Sequence, residues 1–347
     1  MKTEARPVTG RNRRLLLRRR PVGLPVPEDF DLVEEAIPEP GDGAILVRNH
    51  FCSLDPGIRG WLEDAPSYIP PIALNDAIRA ITVGRVALSR HPDFETGNWV
   101  VGMNAIEDYS IATPDGFLRV IDPASASSIT LYLSALGGLG VTAYFGVMDV
   151  CRPRPGDTML INGAAGAVGS LAGQIAKIKD CRTIGIAGGP AKCKRLIERY
   201  GFDSAIDYRG KSSSELSAAL AAAAPDGVDM VFENVGGMLL DTALMHLTLH
   251  ARVALCGLIS EYNSTTGPIG ARNLWQLIVK RATMQGFLVG DFSHRAAEAH
   301  VALAAWLKEG LLVIDEHIEE GIENAVPAFL RLFSGTHDGK LVLRIAA

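Results

Sequence analysis

The sequence predicts an α/β protein built on a doubly wound parallel sheet, with a second, mostly β domain. Three observations predict this. Strand-like and helix-like segments alternate from residue 158 onward. The stretch INGAAGAVGS (161–170) falls between such a strand and such a helix. The first 125 residues are instead rich in Pro and Gly and carry short β-like runs. Regular β/α alternation is the pattern of a parallel sheet covered by helices on both faces. With 347 residues, 48% of them apolar, the chain has material for about two cores.

Taken in order, RNRRLLLRRR (11–20) reads as a basic strand or arm on the surface. Its LLL is far too short to span a bilayer, and no signal-peptide pattern surrounds it. AILVRNHF (44–51), ITVGRVALS (81–89) and NWVVGM (98–103) read as strands of an antiparallel or mixed β domain. LYLSALGGLGVTAYFGVMDVC (131–151) reads as helices, and RPRPGD (152–157) turns the chain into TMLIN (158–162), a short buried strand. GSLAGQIAKIK (169–179) has apolar residues at helical spacing. RTIGIAGG (182–189) is a strand ending in glycines, and AKCKRLIERYG (191–201) a helix closed by Gly201. SSSELSAALAAAA (212–224) reads as another helix. SAIDY (204–208), VDMVFENVGG (228–237), ARVALCGL (251–258) and ATMQGFLV (282–289) are further strands. LVLRI (341–345) is a terminal strand that returns to the first domain. The expected boundaries are 1–128 and 308–347 for the β-rich substrate domain, and 129–307 for the cofactor domain.

The formal charge of −5 gives no general reason to expect nucleic acid or a membrane surface as partner. Cys52, Cys151, Cys181, Cys193 and Cys256 are scattered, with no C-x-x-C. Such an odd, dispersed set points to reduced thiols in a cytoplasm-like compartment.

The glycine stretch has alanine where G-x-G-x-x-G begins: Gly163 sits one residue early and Ala164 takes the usual first position. Its context, strand before and helix after, is that of a dinucleotide loop of the Rossmann type. Gly166 lets the backbone approach phosphate oxygens, and Gly169 lets the helix pack close to the sheet. An NAD site places Asp or Glu at the tip of the second strand to bind the ribose diol. Here that tip is AGGPAKCKR (187–195), which has no carboxylate but has Lys192, Lys194 and Arg195. A lysine attracts a 2′-phosphate where an acid repels it, so NADPH is the expected cofactor. Lys192, nearest the turn, is assigned to that phosphate; Lys194 and Arg195 suit a solvated helix face. Tyr208, at the third strand tip, flanks the adenosine phosphate or is a surface tyrosine.

GAAGAVGS, the QIAKIK helix, GIAGGPAKC, GFDSAIDY, ENVGG, ALCGLIS-x-YN and a late Gly-Lys together resemble the medium-chain dehydrogenase/reductases. The similarity is to the zinc-free branch of prostaglandin reductases and 2-alkenal (double-bond) reductases. SLDPGIRG (53–60) and VTAYFG (141–146) extend it over almost the whole chain. The resemblance implies a GroES-like catalytic domain beside the Rossmann domain, and a homodimer. It implies cofactor contacts from Ala165, Gly166, Ala167, Val168 and Gly169, from Asn234 at a strand tip, and from the backbone of Cys256, Gly257 and Ile259. It also implies main-chain contacts from Phe287 and Val289. Two positions depart from the pattern. Gly57 replaces the tyrosine of SLDPYMR, which implies a wider pocket. His337 stands where Asn contacts the cofactor in Gly-Asn-x-Gly-Lys, so that contact becomes a titratable one.

No metal is expected. The superfamily's His-Glu pair falls on Ala80 and Ile81, no cysteine cluster exists for a structural zinc, and a catalytic zinc needs three protein ligands. Cys52 is read as a small core residue. What remains is reduction of a C=C bond conjugated to a carbonyl: hydride to the β-carbon, with charge moving to the oxygen. Tyr262 in LISEYN matches the family tyrosine that reaches the substrate and is the expected oxyanion donor. Tyr68 in PSYIPP forms the opposite wall of the substrate site or packs its loop. The partner is then a small unsaturated aldehyde or ketone. The alternatives are an NADPH quinone reductase, a non-catalytic NADPH-binding protein and a methyltransferase. The last is disfavoured because its cofactor's ribose also wants a carboxylate at the second strand tip.

Overall fold

The computed structural model describes residues 8–114, 117–267 and 270–346. The chain divides into two compact units. Unit one takes the described parts of Met1–Leu133, Glu316–His337 and Leu341–Ala347; unit two takes those of Ser134–Asp315 and Asp338–Lys340. The substrate-shaping loop expected over 260–272 includes residues 268 and 269, which lie outside the described residues. No described helix is long and apolar enough to cross a membrane.

Unit one begins with a ribbon of β1 (Arg11–Leu17) and β2 (Phe30–Ala36), paired antiparallel. The basic run folds here for a clear reason. Leu15, Leu16 and Leu17 are buried, while Arg13, Arg14, Arg18, Arg19 and Arg20 find acids or carbonyls. Arg13 meets Asp108 at 2.9 Å, Arg14 meets Glu35 and Glu107 at 2.7 Å, and Arg19 meets Asp29 at 2.5 Å. Arg20 donates to the carbonyls of Leu62 and Ile72. The main sheet of unit one uses β3 (Ile45–Ser53), β4 (Arg79–Ser89), β5 (Trp99–Ala105), β6 (Tyr109–Ala112) and β7 (Arg119–Ile121). The pairs β3–β4, β4–β5, β5–β7 and β3–β6 are antiparallel. A short helix, α1 (Ile58–Trp61), follows SLDP and packs Ile58 and Trp61 into a core with Leu54, Ile78 and Phe329.

Unit two starts with α2 (Gly138–Phe145), which passes into a π-helical turn over Gly146–Cys151. A Cβ on Gly146 would lie 2.5 Å from the Phe232 ring and 2.6 Å from that of Phe287, so the turn needs this glycine. The alternation then runs β8 (Thr158–Asn162), α3 (Ala167–Ile178), β9 (Arg182–Ala187), α4 (Pro190–Glu198), β10 (Ser204–Asp207), α5 (Ser213–Ala223), β11 (Val228–Glu233), α6 (Gly237–Met245), β12 (Leu247–Leu255), α7 (Trp275–Lys280) and β13 (Thr283–Gly286). The sheet order is β10-β9-β8-β11-β12-β13, and every neighbouring pair is parallel. The α5 start is fixed by a capping box between Ser212 and Glu215. The strands are filled with Leu160, Ile184, Ile186, Val231 and Val253, all at most 1% exposed, each burial stabilising by about 2 kcal/mol. The sheet runs outward from β8 to β10 and then returns to β11 at β8's other side. That reversal is the switch point where such sheets bind ligands, outside the carboxyl ends of the strands.

The chain ends with α8 (Ala296–Lys308), β14 (Glu316–Glu320), α9 (Ala325–Ser334) and β15 (Lys340–Arg344). Strand β15 pairs antiparallel with β3, so the terminal strand does return to the first sheet.

Candidate active site

The glycine turn shows why an alanine is tolerated at its start. Gly163, at φ +64°, takes the left-handed conformation that makes the tight turn. Ala164 then donates its N–H to the Ile186 carbonyl at 3.0 Å and buries its methyl fully. Gly169 is required by contact. A Cβ there would lie 2.4 Å from the Gly163 oxygen and 2.9 Å from the Ala164 Cα. Gly166 is the N-cap of α3 and offers no side-chain cap, which leaves the first-turn N–H groups from Ala167, Val168 and Gly169 for an anion. Ala165 is buried beneath them.

At the tip of β9, glycines make room for cations. A Cβ on Gly188 would lie 3.0 Å from Arg209 Nε and 3.4 Å from the Tyr208 hydroxyl, and Gly189 adopts φ +98°. Asp207 accepts hydrogen bonds from the N–H groups of Gly189 and Arg209, fixing both tips. Lys192 is half-buried, and its pKa is lowered, mainly by burial. Asp338 opposes that shift, while Arg209 and Arg195 add to it. Sequence reasoning missed Arg209, whose signal was only its place one residue past Tyr208. It also put Arg195 with Lys194 on a solvated helix face. Lys194 is indeed exposed, near Glu198, but Arg195 turns inward to Asp338 at 2.7 Å.

The tip of β11 is held by Glu233, which sequence reasoning also missed. Its carboxylate is fully buried. It accepts N–H bonds from Val235 at 2.6 Å and Gly236 at 2.8 Å, and one from the Asn162 amide. Burial nevertheless outweighs these bonds and pushes its pKa up to about 7. The other end of the Asn162 amide, Oδ1, is buried without a hydrogen bond. Asn234 donates from Nδ2 to the Asn162 carbonyl at 2.8 Å, so the β8 and β11 tips are laced together. The signal for Glu233 was an acid closing an otherwise apolar strand.

Beyond these tips lies an open pocket of about 520 Å³, lined among others by Cys256, Gly257, Tyr262, Phe287 and Asp291. The Leu258 N–H donates to the Tyr262 phenol oxygen at 3.3 Å. A Cβ on Gly257 would lie 3.1 Å from that oxygen, so the phenol lies over the strand end. The Cys256 and Gly257 N–H groups bond the Glu233 carbonyl, and the Ile259 N–H that of Asn234. Burial pushes the Cys256 thiol up to about 12, which keeps it protonated and a poor nucleophile. Phe287 packs its ring edge-on to Phe232 with centroids 6.2 Å apart, and Val289 opens the following 3₁₀ turn.

Two sequence-selected residues belong to unit one. Tyr68 is 55% exposed, and its hydroxyl accepts from Trp61 Nε1 at 3.0 Å. A Cβ on Gly57 would lie 3.2 Å from the same hydroxyl, so Tyr68 occupies the space beside the missing side chain. His337 places Nδ1 at 3.1 Å from the Arg331 carbonyl, at the end of α9. Cys52 is buried in β3. Among the described residues, no three or more His, Cys, Asp or Glu side chains are grouped to hold a metal ion.

Residues 13–120 match the family described as the N-terminal domain of oxidoreductase, and residues 167–306 match that described as zinc-binding dehydrogenase. The NADPH-dependent curcumin reductase of Escherichia coli is 40% identical over 97% of this chain and 97% of its own. The NADP(+)-dependent 2-alkenal reductase of Nicotiana tabacum is 37% identical over 96% of this chain and 98% of its own. The crystal structure of CurA from Vibrio vulnificus in complex with NADPH is 39% identical, covering 96% of this chain and 99% of its own, with a TM-score of 0.91. The chain thus belongs to the medium-chain dehydrogenase/reductase family, in the branch of the 2-alkenal and prostaglandin reductases.

Proposed function

We propose that the protein uses NADPH to reduce the C=C bond of α,β-unsaturated aldehydes or ketones, without a metal. The named activities of the relatives support this: curcumin, 2-alkenal and pulegone reductases, each at least 35% identical to this chain. The single observation that carries the chemistry is the Tyr262 phenol in the pocket over Gly257, polarised by the Leu258 N–H.

The turn fits a dinucleotide on geometry. The first turn of α3 is uncapped, Gly163 and Gly169 clear the approach, and Lys192 and Arg209, beyond the ends of β9 and β10, are the cations we assign to a 2′-phosphate. Ala165 through Gly169 hold the pyrophosphate. Lys192, Arg209 and Tyr208 read the adenosine phosphate, and Asn234 faces the ribose side. The backbones of Cys256, Gly257, Ile259, Phe287 and Val289 line the nicotinamide, and His337 is a further contact. Bound NADPH supplies the hydride for the β-carbon. Tyr262 donates to the carbonyl oxygen, where negative charge develops, and accepting the Leu258 bond makes its O–H a stronger donor. Tyr68 is proposed as a further substrate-binding residue, and a proton from water completes the α-carbon.

We infer a substrate domain of 1–128 and 308–347 and a cofactor domain of 129–307; the compact units themselves divide after Leu133 and after Asp315. A homodimer is proposed through β13, the edge strand of its sheet, beside exposed Trp275 and Ile278. None of the five cysteines forms a disulfide, which suits a cytoplasmic setting. The test is NADPH consumption with a 2-alkenal, an enone and a quinone in parallel. Turnover of the first two supports the reading; turnover of the quinone alone, or of none despite tight NADPH binding, rejects it.

A further inference from the structure

Asp338–Lys340 belongs to unit two, although the residues on either side belong to unit one. Three contacts fix it there. Gly339 forms a parallel bridge with Gly166 of the glycine turn. The Lys340 N–H donates to the Asp315 carbonyl at 2.8 Å. The Asp338 carboxylate meets Arg195 at 2.7 Å. Gly339 adopts φ +63°, and a Cβ there would lie 2.0 Å from the Asp315 oxygen, so no other residue allows this approach. The backbone therefore delivers an acid to the face of α4 that carries both Lys192 and Arg195, which are three residues apart. Asp315 also lies within reach of Arg195, at 3.9 Å, but it is engaged with Arg199 and the Tyr200 hydroxyl. Asp338 is thus the carboxylate set closest to Arg195.

We propose that Asp338 is a specificity-determining counter-ion of the 2′-phosphate site: it neutralises Arg195 and leaves recognition to Lys192 and Arg209. The proposal rests on the NADPH reading above. A 2′-phosphate carries nearly two negative charges, so a fixed carboxylate beside its cations weakens its binding. NADH lacks that phosphate and is indifferent to the carboxylate. Asp338 therefore moderates the preference for NADPH and keeps the cofactor exchangeable.

The test is the dissociation constant of NADPH and of NADH, by calorimetric titration at low and high salt, for wild type, Asp338→Asn and Arg195→Leu. Asn keeps the shape and a hydrogen-bond acceptor for Arg195 while removing the charge. The expected result for Asp338→Asn is NADPH bound about three- to tenfold tighter, more so at low salt, with NADH unchanged. Arg195→Leu, which leaves the carboxylate unopposed beside Lys192, is expected to weaken NADPH by a similar factor and not NADH. Equal shifts for both cofactors in Asp338→Asn would show that the residue only shapes the loop and would overturn the proposal. No shift, or weaker NADPH, would overturn it too. A wild-type protein that binds NADH as tightly as NADPH would overturn the cofactor reading itself, and that result is read before any variant is made.

Discussion

The backbone nitrogen of Leu258 lies 3.3 Å from the Tyr262 phenol oxygen and donates to it. The bond ties the phenol to the loop that follows β12, at the carboxyl edge of the sheet. A tyrosine used only for packing would keep most of its role as phenylalanine. A tyrosine that meets charge in the transition state would not. Tyr262→Phe is expected to lower kcat about a hundredfold while the NADPH dissociation constant stays within about twofold. Steady-state kinetics with an enone, paired with cofactor titration, measures both.

Lys192 lies in α4, just after β9, Arg209 lies just past β10, and the charge of Arg209 helps lower the Lys192 pKa. Replacing either by Ala is expected to weaken NADPH about ten- to a hundredfold and to leave NADH nearly unchanged. Equal loss for both cofactors would remove the phosphate assignment.

Gly169 has backbone, not a flexible side chain, where a Cβ would go. Gly169→Ala is therefore expected to open the turn, lowering Tm by several degrees and weakening NADPH at least about tenfold. Gly138, at the start of α2, has nothing within 4 Å of a Cβ, and Gly138→Ala serves as the neutral comparison.

Glu233 gives a pH dependence of defined sign. Its carboxyl pKa is raised from 4.5 in the unfolded chain to about 7 in the fold. The folded state therefore holds the proton more tightly, and the stability this contributes is full below pH 4.5 and lost as pH rises through about 7. Glu233→Gln carries no charge at any pH, and its amide can pair with the buried Asn162 Oδ1 once that amide turns over. The stability difference between wild type and Glu233→Gln is expected to swing in the variant's favour between about pH 5 and about pH 8, followed by urea unfolding at each pH.

Much of the cofactor half was legible because its signals are local. TMLIN (158–162) is strand β8 residue for residue, and the turn after it follows from glycine chemistry. Lys192 was legible from an absent acid at a known offset. What escaped depends on residues distant in sequence. Arg195 looked solvated because its partner Asp338 lies far along the chain, in a segment seated by Gly339. Glu233 looked like a strand end until burial and the Asn162 amide surrounded it. Strand β2 (FDLVEEA) gave no alternating pattern because most of it is exposed; pairing with β1 and ion pairs to its arginines hold it instead. Gly146 was read as part of a helix, and only the rings of Phe232 and Phe287 explain the π-helical turn there.

The central claim, hydride to the β-carbon with the oxygen met by a phenol, is tested most directly with NADPH deuterated at the transferred position and an α,β-unsaturated ketone. NMR of the product is expected to show a saturated ketone with deuterium on the β-carbon. Deuterium on the carbonyl carbon of an allylic alcohol would contradict the account.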